Sequence, residues 1–361
     1  MKKKESKDIK IRRIRIVDYK GIDELEIEFA EPKMVGYPDV TIMGSRNGLG
    51  KTSVLECCAL LFIGLSLRVH EIDLRYRRYL PVDLPEMIIR AGASTARLEG
   101  EIVVGTKMFA LSMEIDRSGK VNVDSKPKNL LHDEEPDSQE RTGLIQLFVS
   151  VLSGMNQNPL LSENVLYFHS YRKVQEGNPE IGSMVDEDNV RRRIRPAIYE
   201  IPMSTFKSHI LRSMMGRANL FEELDDSQSE DVLAKLNELV KPYAGGRIEK
   251  LRAFSDNTVD FRIQPVDGGP SFPFDGLSSG QKEIIATLFL IWNQTRNKPG
   301  VVLIDEPELH LNPEWHRDFV RQLGKIAPDN QYIIATHSED VFASVDEDHR
   351  LLLQGTAGDK S

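Results

Sequence analysis

Hydrophobic residues recur along this chain with two periods, and the points where the period changes outline its elements. Residues 11–17 and 25–29 alternate apolar and polar positions, the pattern of strands with one buried face. Tyr19-Lys20-Gly21 between them reads as a turn. Alternation returns at 97–104, 108–115 and 121–123, with Ser118-Gly119 as a hairpin turn. These are predicted antiparallel strands that extend the N-terminal sheet. Three other runs do not alternate: Val40-Thr41-Ile42-Met43, Val301-Val302-Leu303-Ile304 and Tyr332-Ile333-Ile334-Ala335. A strand apolar on both sides belongs in a parallel sheet covered by helices. Val165-Leu166-Tyr167-Phe168 reads as a further core strand. Helical spacing is predicted over 54–67, 144–152, 203–215, 230–240, 283–292 and 314–323, and a hairpin over 247–264. No internal repeat and no sustained heptad is present, so no long coiled-coil arm is expected.

These elements divide the chain into three stretches. Residues 1–125 and 246–361 read as two halves of one α/β domain with a mixed, mainly parallel core sheet and an antiparallel β-subdomain. Residues 126–245 read as a mainly helical insertion. Residues 126–141 within it are polar and acidic, with Pro127 and Pro136, as in a surface loop.

Composition narrows the class. Hydrophobic residues are 40% and charged residues 29%, so the chain can bury a sizeable core. The net charge of −9 argues against a protein coated in nucleic acid, though not against a local basic groove. Two stretches could form one: Arg75, Tyr76, Arg77, Arg78 and Tyr79, where aromatics interleave with arginines, and Arg191-Arg192-Arg193-Ile194-Arg195. For the first, a solvated helix face with arginine stems along it is the favoured reading, given the acidic total. Cys57 and Cys58 are adjacent in a predicted buried helix and read as small core residues in a reducing compartment. No apolar stretch follows the basic N-terminus, and the longest apolar run is too short to span a bilayer. A cytoplasmic protein without a membrane domain is expected.

The chemistry sits where the buried strands end. Val40–Met43 runs into Gly44-Ser45-Arg46-Asn47-Gly48-Leu49-Gly50-Lys51-Thr52-Ser53, and a helix comes next. Strand, glycine loop, Lys-Thr and helix form the context of a P-loop. Gly48 and Gly50 let backbone N–H groups turn inward around phosphate oxygens. Lys51 is placed to reach the β/γ-phosphates and Thr52 to offer a hydroxyl to Mg²⁺. The first glycine position of the motif is taken by Ser45, with Gly44 one residue earlier. The run 301–304 ends at Asp305-Glu306-Pro307. In a P-loop ATPase the first such acid holds Mg²⁺ and the second polarises the attacking water. Adjacent strand-end residues point to opposite faces, so two roles suit the geometry. The last core strand ends at Thr336-His337-Ser338, where a histidine beside the γ-phosphate can sense it. Leu277-Ser278-Ser279-Gly280-Gln281-Lys282 precedes a helix, and its free N–H groups suit an anion. Arg172, just past the strand at 165–168, could touch phosphate or a partner, or serve the fold.

With these four motifs in this order, the chain resembles the ABC-type ATPases of the RecF/Rad50/SMC and OLD group. The matching residues are Asn47-Gly48-Leu49-Gly50-Lys51-Thr52, Leu277-Ser278-Ser279-Gly280-Gln281, Asp305-Glu306-Pro307-Glu308-Leu309-His310-Leu311 and Thr336-His337-Ser338. The Asp-Glu-Pro-Glu-Leu-His-Leu form looks closer to OLD-like and anti-phage defence ATPases than to RecF or SMC heads. The resemblance covers about residues 11–62 and 272–355 and leaves the middle open. For the glutamine that transporters carry between P-loop and signature, Gln157 and Gln175 are the candidates.

The resemblance implies an ABC-type P-loop NTPase that binds ATP and Mg²⁺ and hydrolyses ATP. Asn47, Gly48, Gly50, Lys51, Thr52 and Ser53 would hold the phosphates, Thr52 and Asp305 the metal, with Glu306 and His337 catalytic. It also implies a head-to-tail dimer, or a higher oligomer, in which Ser278, Ser279, Gly280 and Gln281 cap the nucleotide of the other copy. OLD proteins continue into a Toprim nuclease domain, for which a chain ending at Ser361 leaves no room. The expected role is therefore an ATPase subunit of an anti-phage system with a separate nuclease or toxin, such as a Septu-type ATPase with its HNH nuclease. The alternatives are a RecF-like repair clamp on DNA and a nucleotide-locked scaffold that hydrolyses slowly or not at all.

Overall fold

The structure is a computed structural model and describes residues 9–30, 38–44, 49–67, 71–73, 83–127, 138–152, 160–162, 165–172, 174, 206–207, 226–253 and 259–353. Asn47, Gly48, Gln157, Gln175, both arginine-rich stretches and most of the helix expected over 203–215 lie outside them. The chain divides into two compact units, Met1–Ser170 with Gln294–Glu308 and Pro313–Ser361, and Tyr171–Asn293 with Leu309–Asn312.

The first unit holds two six-stranded sheets. One is antiparallel, in the order β2-β1-β5-β6-β7-β4, from β1 (Ile9–Tyr19), β2 (Ile22–Glu28), β4 (Glu71–Asp73), β5 (Thr95–Val104), β6 (Lys107–Asp116) and β7 (Lys120–Lys126). Its alternating sequences bury one face and leave the other to solvent. Ion pairs run across the open face, among them Arg15–Glu24 at 2.7 Å, Arg15–Glu99 at 3.3 Å and Arg97–Glu114 at 3.0 Å. Exposed pairs add little stability, but Arg15 with Glu99 and Arg97 with Glu114 stand directly across a ladder and favour this register.

The other sheet is the core, ordered β15-β3-β14-β13-β9-β8. It contains β3 (Asp39–Gly44), β8 (Leu160–Ser162), β9 (Val165–Phe168), β13 (Val301–Asp305), β14 (Gln331–Thr336) and β15 (Arg350–Leu352). All neighbours are parallel except β8 and β9. Residues 165–168 fall in the stretch expected as an insertion, yet they pair with β13 inside this sheet. The apolar runs of β3, β13 and β14 are buried at every position.

α1 (Lys51–Leu67) touches both sheets and α3 (Ser138–Leu152). It starts three residues before the helix expected from sequence, and apolar residues surround its axis, as a helix enclosed by protein requires. Val54, Leu55 and the run from Cys57 to Leu61 are fully buried, and neither cysteine forms a disulfide. A second link joins the sheets: the side-chain amide of Gln331 accepts from the N–H of Ile11 at 2.8 Å and donates to its C=O at 2.9 Å. α2 (Leu84–Ile88), α6 (Pro313–Ile326) and α7 (Glu339–Phe342) belong to the same unit.

The second unit contains α4 (Asp226–Ala244), the three-stranded sheet β10 (Gly246–Ala253), β11 (Val259–Pro265) and β12 (Phe272–Pro273), and the start of α5 (Ser279–Thr295). The predicted hairpin over 247–264 is β10 and β11. Phe206 packs against Phe274 and Phe289 with ring centres 5.3 and 5.4 Å apart. Among the described residues no helix is long and apolar enough to cross a membrane.

Candidate nucleotide site

Register gathers the chemistry of the first unit into one row. Across the core sheet Asp305 pairs with Ala335 and Ala335 with Met43, while Thr336 pairs with Gly44. The carboxyl ends of β3, β14 and β13 are therefore level and adjacent, the usual place for a ligand on a parallel sheet. These three ends lead into the P-loop, the Thr336-His337-Ser338 turn and the acidic pair.

Gly50 has φ of +85°, and a side chain there would meet Ile22 at 2.8 Å, so both the turn and the packing call for glycine. The first turn of α1 then presents Lys51, Thr52 and Ser53. The Thr52 hydroxyl lies 3.0 and 3.2 Å from the two carboxylate oxygens of Asp305, itself buried. Burial pulls the Lys51 ammonium below the ordinary lysine range, against the opposing pull of Glu306, Asp305 and Glu308. Its Nζ stands 3.3 Å from Nδ1 of His337. An ammonium can only donate, so Nδ1 is the acceptor of this contact and Nε2 is left to donate. That nitrogen is 3.3 Å from Oε1 of Glu306. Lys51, His337 and Glu306 thus form a chain, with Thr52 and Asp305 beside it.

Glu306 diverges from Asp305 for a reason other than strand pleating. β13 ends at Asp305, and Glu306 adopts φ of +46°, a left-handed turn uncommon for a side-chain-bearing residue. Its N–H is held by the carbonyl of Ala335 at 2.8 Å. Glu308, given no role from sequence beyond a turn, is engaged at both carboxylate oxygens. It accepts from the Thr336 hydroxyl at 2.8 Å and from the backbone N–H groups of His337 at 2.6 Å and Ser338 at 3.2 Å. Its spacing from Glu306, in Asp305-Glu306-Pro307-Glu308, is the signal that could have found it.

In the second unit Leu277–Lys282 forms a capping box. Ser278 Oγ accepts from the N–H of Gln281 at 3.3 Å, and the Gln281 side-chain oxygen accepts from the N–H of Ser278 at 2.9 Å. The Gln281 amide nitrogen also donates to the carbonyl of Tyr243 at 2.8 Å. Both ends of Gln281 are thereby engaged, while Ser278 and Ser279 are exposed and Gly280 is buried. Arg172 serves the interior of this unit. Its Nε lies 2.7 Å from Oε1 of Glu283, an ion pair not aligned as a hydrogen bond. Burial raises the Glu283 carboxyl, with Arg172 and His310 opposing.

Comparison with known proteins addresses the family and the fold. "Retron Vc95 probable ATPase" of Vibrio cholerae serotype O1 biovar El Tor is 34% identical over 90 residues, 22% of this chain and 18% of that protein. "Septu protein PtuA" of Bacillus mycoides (strain KBAB4) is 23% identical over 339 residues, 91% of this chain and 38% of that protein. The chain thus spans at most 38% of the length of these curated relatives. The solved SMC head bound to the C-winged helix domain of ScpA superposes with a TM-score of 0.54 at 14% identity, covering 93% of this chain and 92% of that one. A family model described as "AAA domain, putative AbiEii toxin, Type IV TA system" matches residues 46–343. The chain therefore belongs to this AAA-domain family, built on the ABC-type P-loop ATPase fold.

Proposed function

We propose that the chain is a Mg-ATP-dependent ATPase that closes head to tail around two nucleotides and thereby gates a separate effector. The observation that carries this reading is the convergence of Lys51, Thr52, Asp305, Glu306 and His337 at three adjacent strand ends. ATP is the substrate, held by the start of α1 with Lys51 at its β/γ-phosphates. Thr52 and Asp305 fit Mg²⁺, because they bring a hydroxyl and a carboxylate together and that ion prefers a few hard oxygen ligands beside phosphate. When bound, Mg²⁺ neutralises charge developing on the phosphoryl oxygens. Glu306 accepts the proton of the attacking water, and His337 holds Glu306 through Nε2–H while facing the γ-phosphate. Asn47, Gly48, Gly50 and Ser53 complete the phosphate cradle.

The exposed Ser278 and Ser279, with the N–H of Gly280, cap the nucleotide of a second copy, and Gln281 braces that turn. The partner is a nuclease or toxin in a defence system, a reading supported by relatives named Septu and retron ATPase. Residues 1–125 and 246–361, with β8 and β9, form the ATPase, and the rest of 126–245 diversifies it.

Glu306→Gln tests the reading. Loss of a general base costs about 10²–10⁴-fold in turnover. Nucleotide binding should survive, and light scattering in saturating Mg-ATP should show a dimer. Turnover equal to wild type would reject the catalytic assignment, and a strictly monomeric variant would reject the head-to-tail closure.

A further inference from the structure

We infer that Glu308 is a positioning residue that sets the distance between Glu306 and His337. The inference rests on the ATPase reading above. His337 sits past the end of β14 with its side chain over one-third exposed, so strand pairing does not fix it. What fixes it is one carboxylate. Oε1 of Glu308 takes the N–H groups of His337 and Ser338, and Oε2 takes the hydroxyl of Thr336. The Ser338 N–H also reaches Thr336 Oγ1 at 3.0 Å. Three consecutive residues are thus tied to one side chain.

Capping of α7 does not explain these bonds. The cap is Ser338, whose own Oγ accepts from the N–H of Val341 at 3.3 Å. The bonds to Glu308 fall on the turn before the helix, where the histidine is. The clamp and the base it serves also share a short piece of chain. Glu306 and Glu308 flank Pro307, whose ring fixes φ and removes one of the backbone freedoms between them. One end of this bridge meets the His337 ring at 3.3 Å and the other holds the His337 backbone at 2.6 Å. Histidine and base are therefore set against each other from both sides.

A geometric role and a charge role separate by substitution. In Glu308→Gln the amide oxygen can keep both backbone donors, and the new NH₂ can donate to the second lone pair of the Thr336 hydroxyl, whose first accepts from the Ser338 N–H. Glu308→Ala leaves the His337 N–H and the Thr336 hydroxyl proton without a partner and the Ser338 N–H with Thr336 Oγ1 alone. Misplacement of a catalytic group by 1 Å costs about 10²-fold. The expected result is a kcat lower by about that factor in Glu308→Ala at unchanged KM, with Glu308→Gln within about tenfold of wild type.

The second readout is amide hydrogen exchange over residues 336–338. It should quicken in Glu308→Ala and stay slow in Glu308→Gln, whether or not nucleotide is present. Should the alanine variant not fold, Thr336→Val removes one of the three donors and should show a smaller change of the same kind. A glutamine variant as impaired as alanine would overturn the inference in favour of a charge role. Unchanged exchange in the alanine variant would overturn it outright. A wild-type chain without turnover would sink the ATPase reading alone, and the exchange comparison then decides the clamp by itself.

Discussion

Gly280 is the position where the structure makes the sharpest demand on sequence. A Cβ built there would lie 2.1 Å from the carbonyl oxygen of His310 and 3.2 Å from its carbon. Carbon contacts are comfortable from about 3.5 Å, so the first turn of α5 or the His310 peptide must retreat by about 1 Å. No rotamer change relieves the clash, because both partners are backbone. His310 is itself in a left-handed conformation with φ of +65°, so its turn has little slack. Overpacking of this kind costs about 3 kcal/mol at the upper end of its usual range. Alanine recovers about 1 kcal/mol of helix propensity. The net loss for Gly280→Ala is then about 2 kcal/mol, or about a 1 M lower midpoint in urea at an ordinary slope.

Gly276→Ala is the internal control. Its nearest neighbour would be a Phe272 ring carbon at 3.7 Å, an ordinary contact, and its φ is not positive. That variant should match wild type or gain up to about 1 kcal/mol. Urea unfolding of both, with ATP turnover measured in parallel, makes the comparison. Turnover should fall about 10²-fold in Gly280→Ala, since Ser278 and Ser279 move with the displaced turn. A Gly280→Ala protein as stable and as active as wild type would refute the close approach and the reasoning built on it.

Two further outcomes test the first unit. Gln331→Leu keeps volume but strands the buried N–H and C=O of Ile11, each worth about 1–3 kcal/mol, so the melting temperature should drop by at least about 5 °C. Glu56 is buried against Lys20 at 2.6 Å and Tyr19 at 3.3 Å, and burial raises its carboxyl despite Lys20. The folded state thus holds the Glu56 proton more tightly than the unfolded state. That contribution is complete below the unfolded pKa and fades as pH rises through the raised one. Wild type should therefore gain on Glu56→Gln in thermal unfolding as pH falls from 7 toward 4, and a difference independent of pH would contradict the assignment.

Much of the candidate site is legible in sequence because each buried apolar run ends at a residue with chemistry: Met43 before the glycine loop, Ile304 before Asp305, Ala335 before Thr336. Strand type and strand end are both local signals. Strand order is not, and the part of Glu308 depends on it, since its donors lie on the neighbouring strand end 28 to 30 positions away. Strand pleating predicts the divergence of Asp305 and Glu306, whereas a left-handed turn at Glu306 produces it. Arg172 looks available for a phosphate because nothing local announces Glu283, more than a hundred positions on. Periodicity places the start of α1 late because Lys51, Thr52 and Ser53 are polar, and their helical phase shows only once the loop before them turns.

A primary amide is a peptide group in miniature, and Gln331 uses it as one. By offering an acceptor and a donor to Ile11, it supplies an additional rung to β1 from a strand of the other sheet. Side chains on a strand repeat every two residues, so a slip of one position exposes the core and is rejected. A slip of two keeps apolar side chains inward, and hydrophobic burial alone scarcely registers it. The rung does not read residue identity either, since every strand residue offers the same N–H and C=O, but it ties β1 to β14 at one fixed distance. The antiparallel sheet is thus joined to the strand that ends in Thr336 by a pair of directional hydrogen bonds as well as by apolar packing.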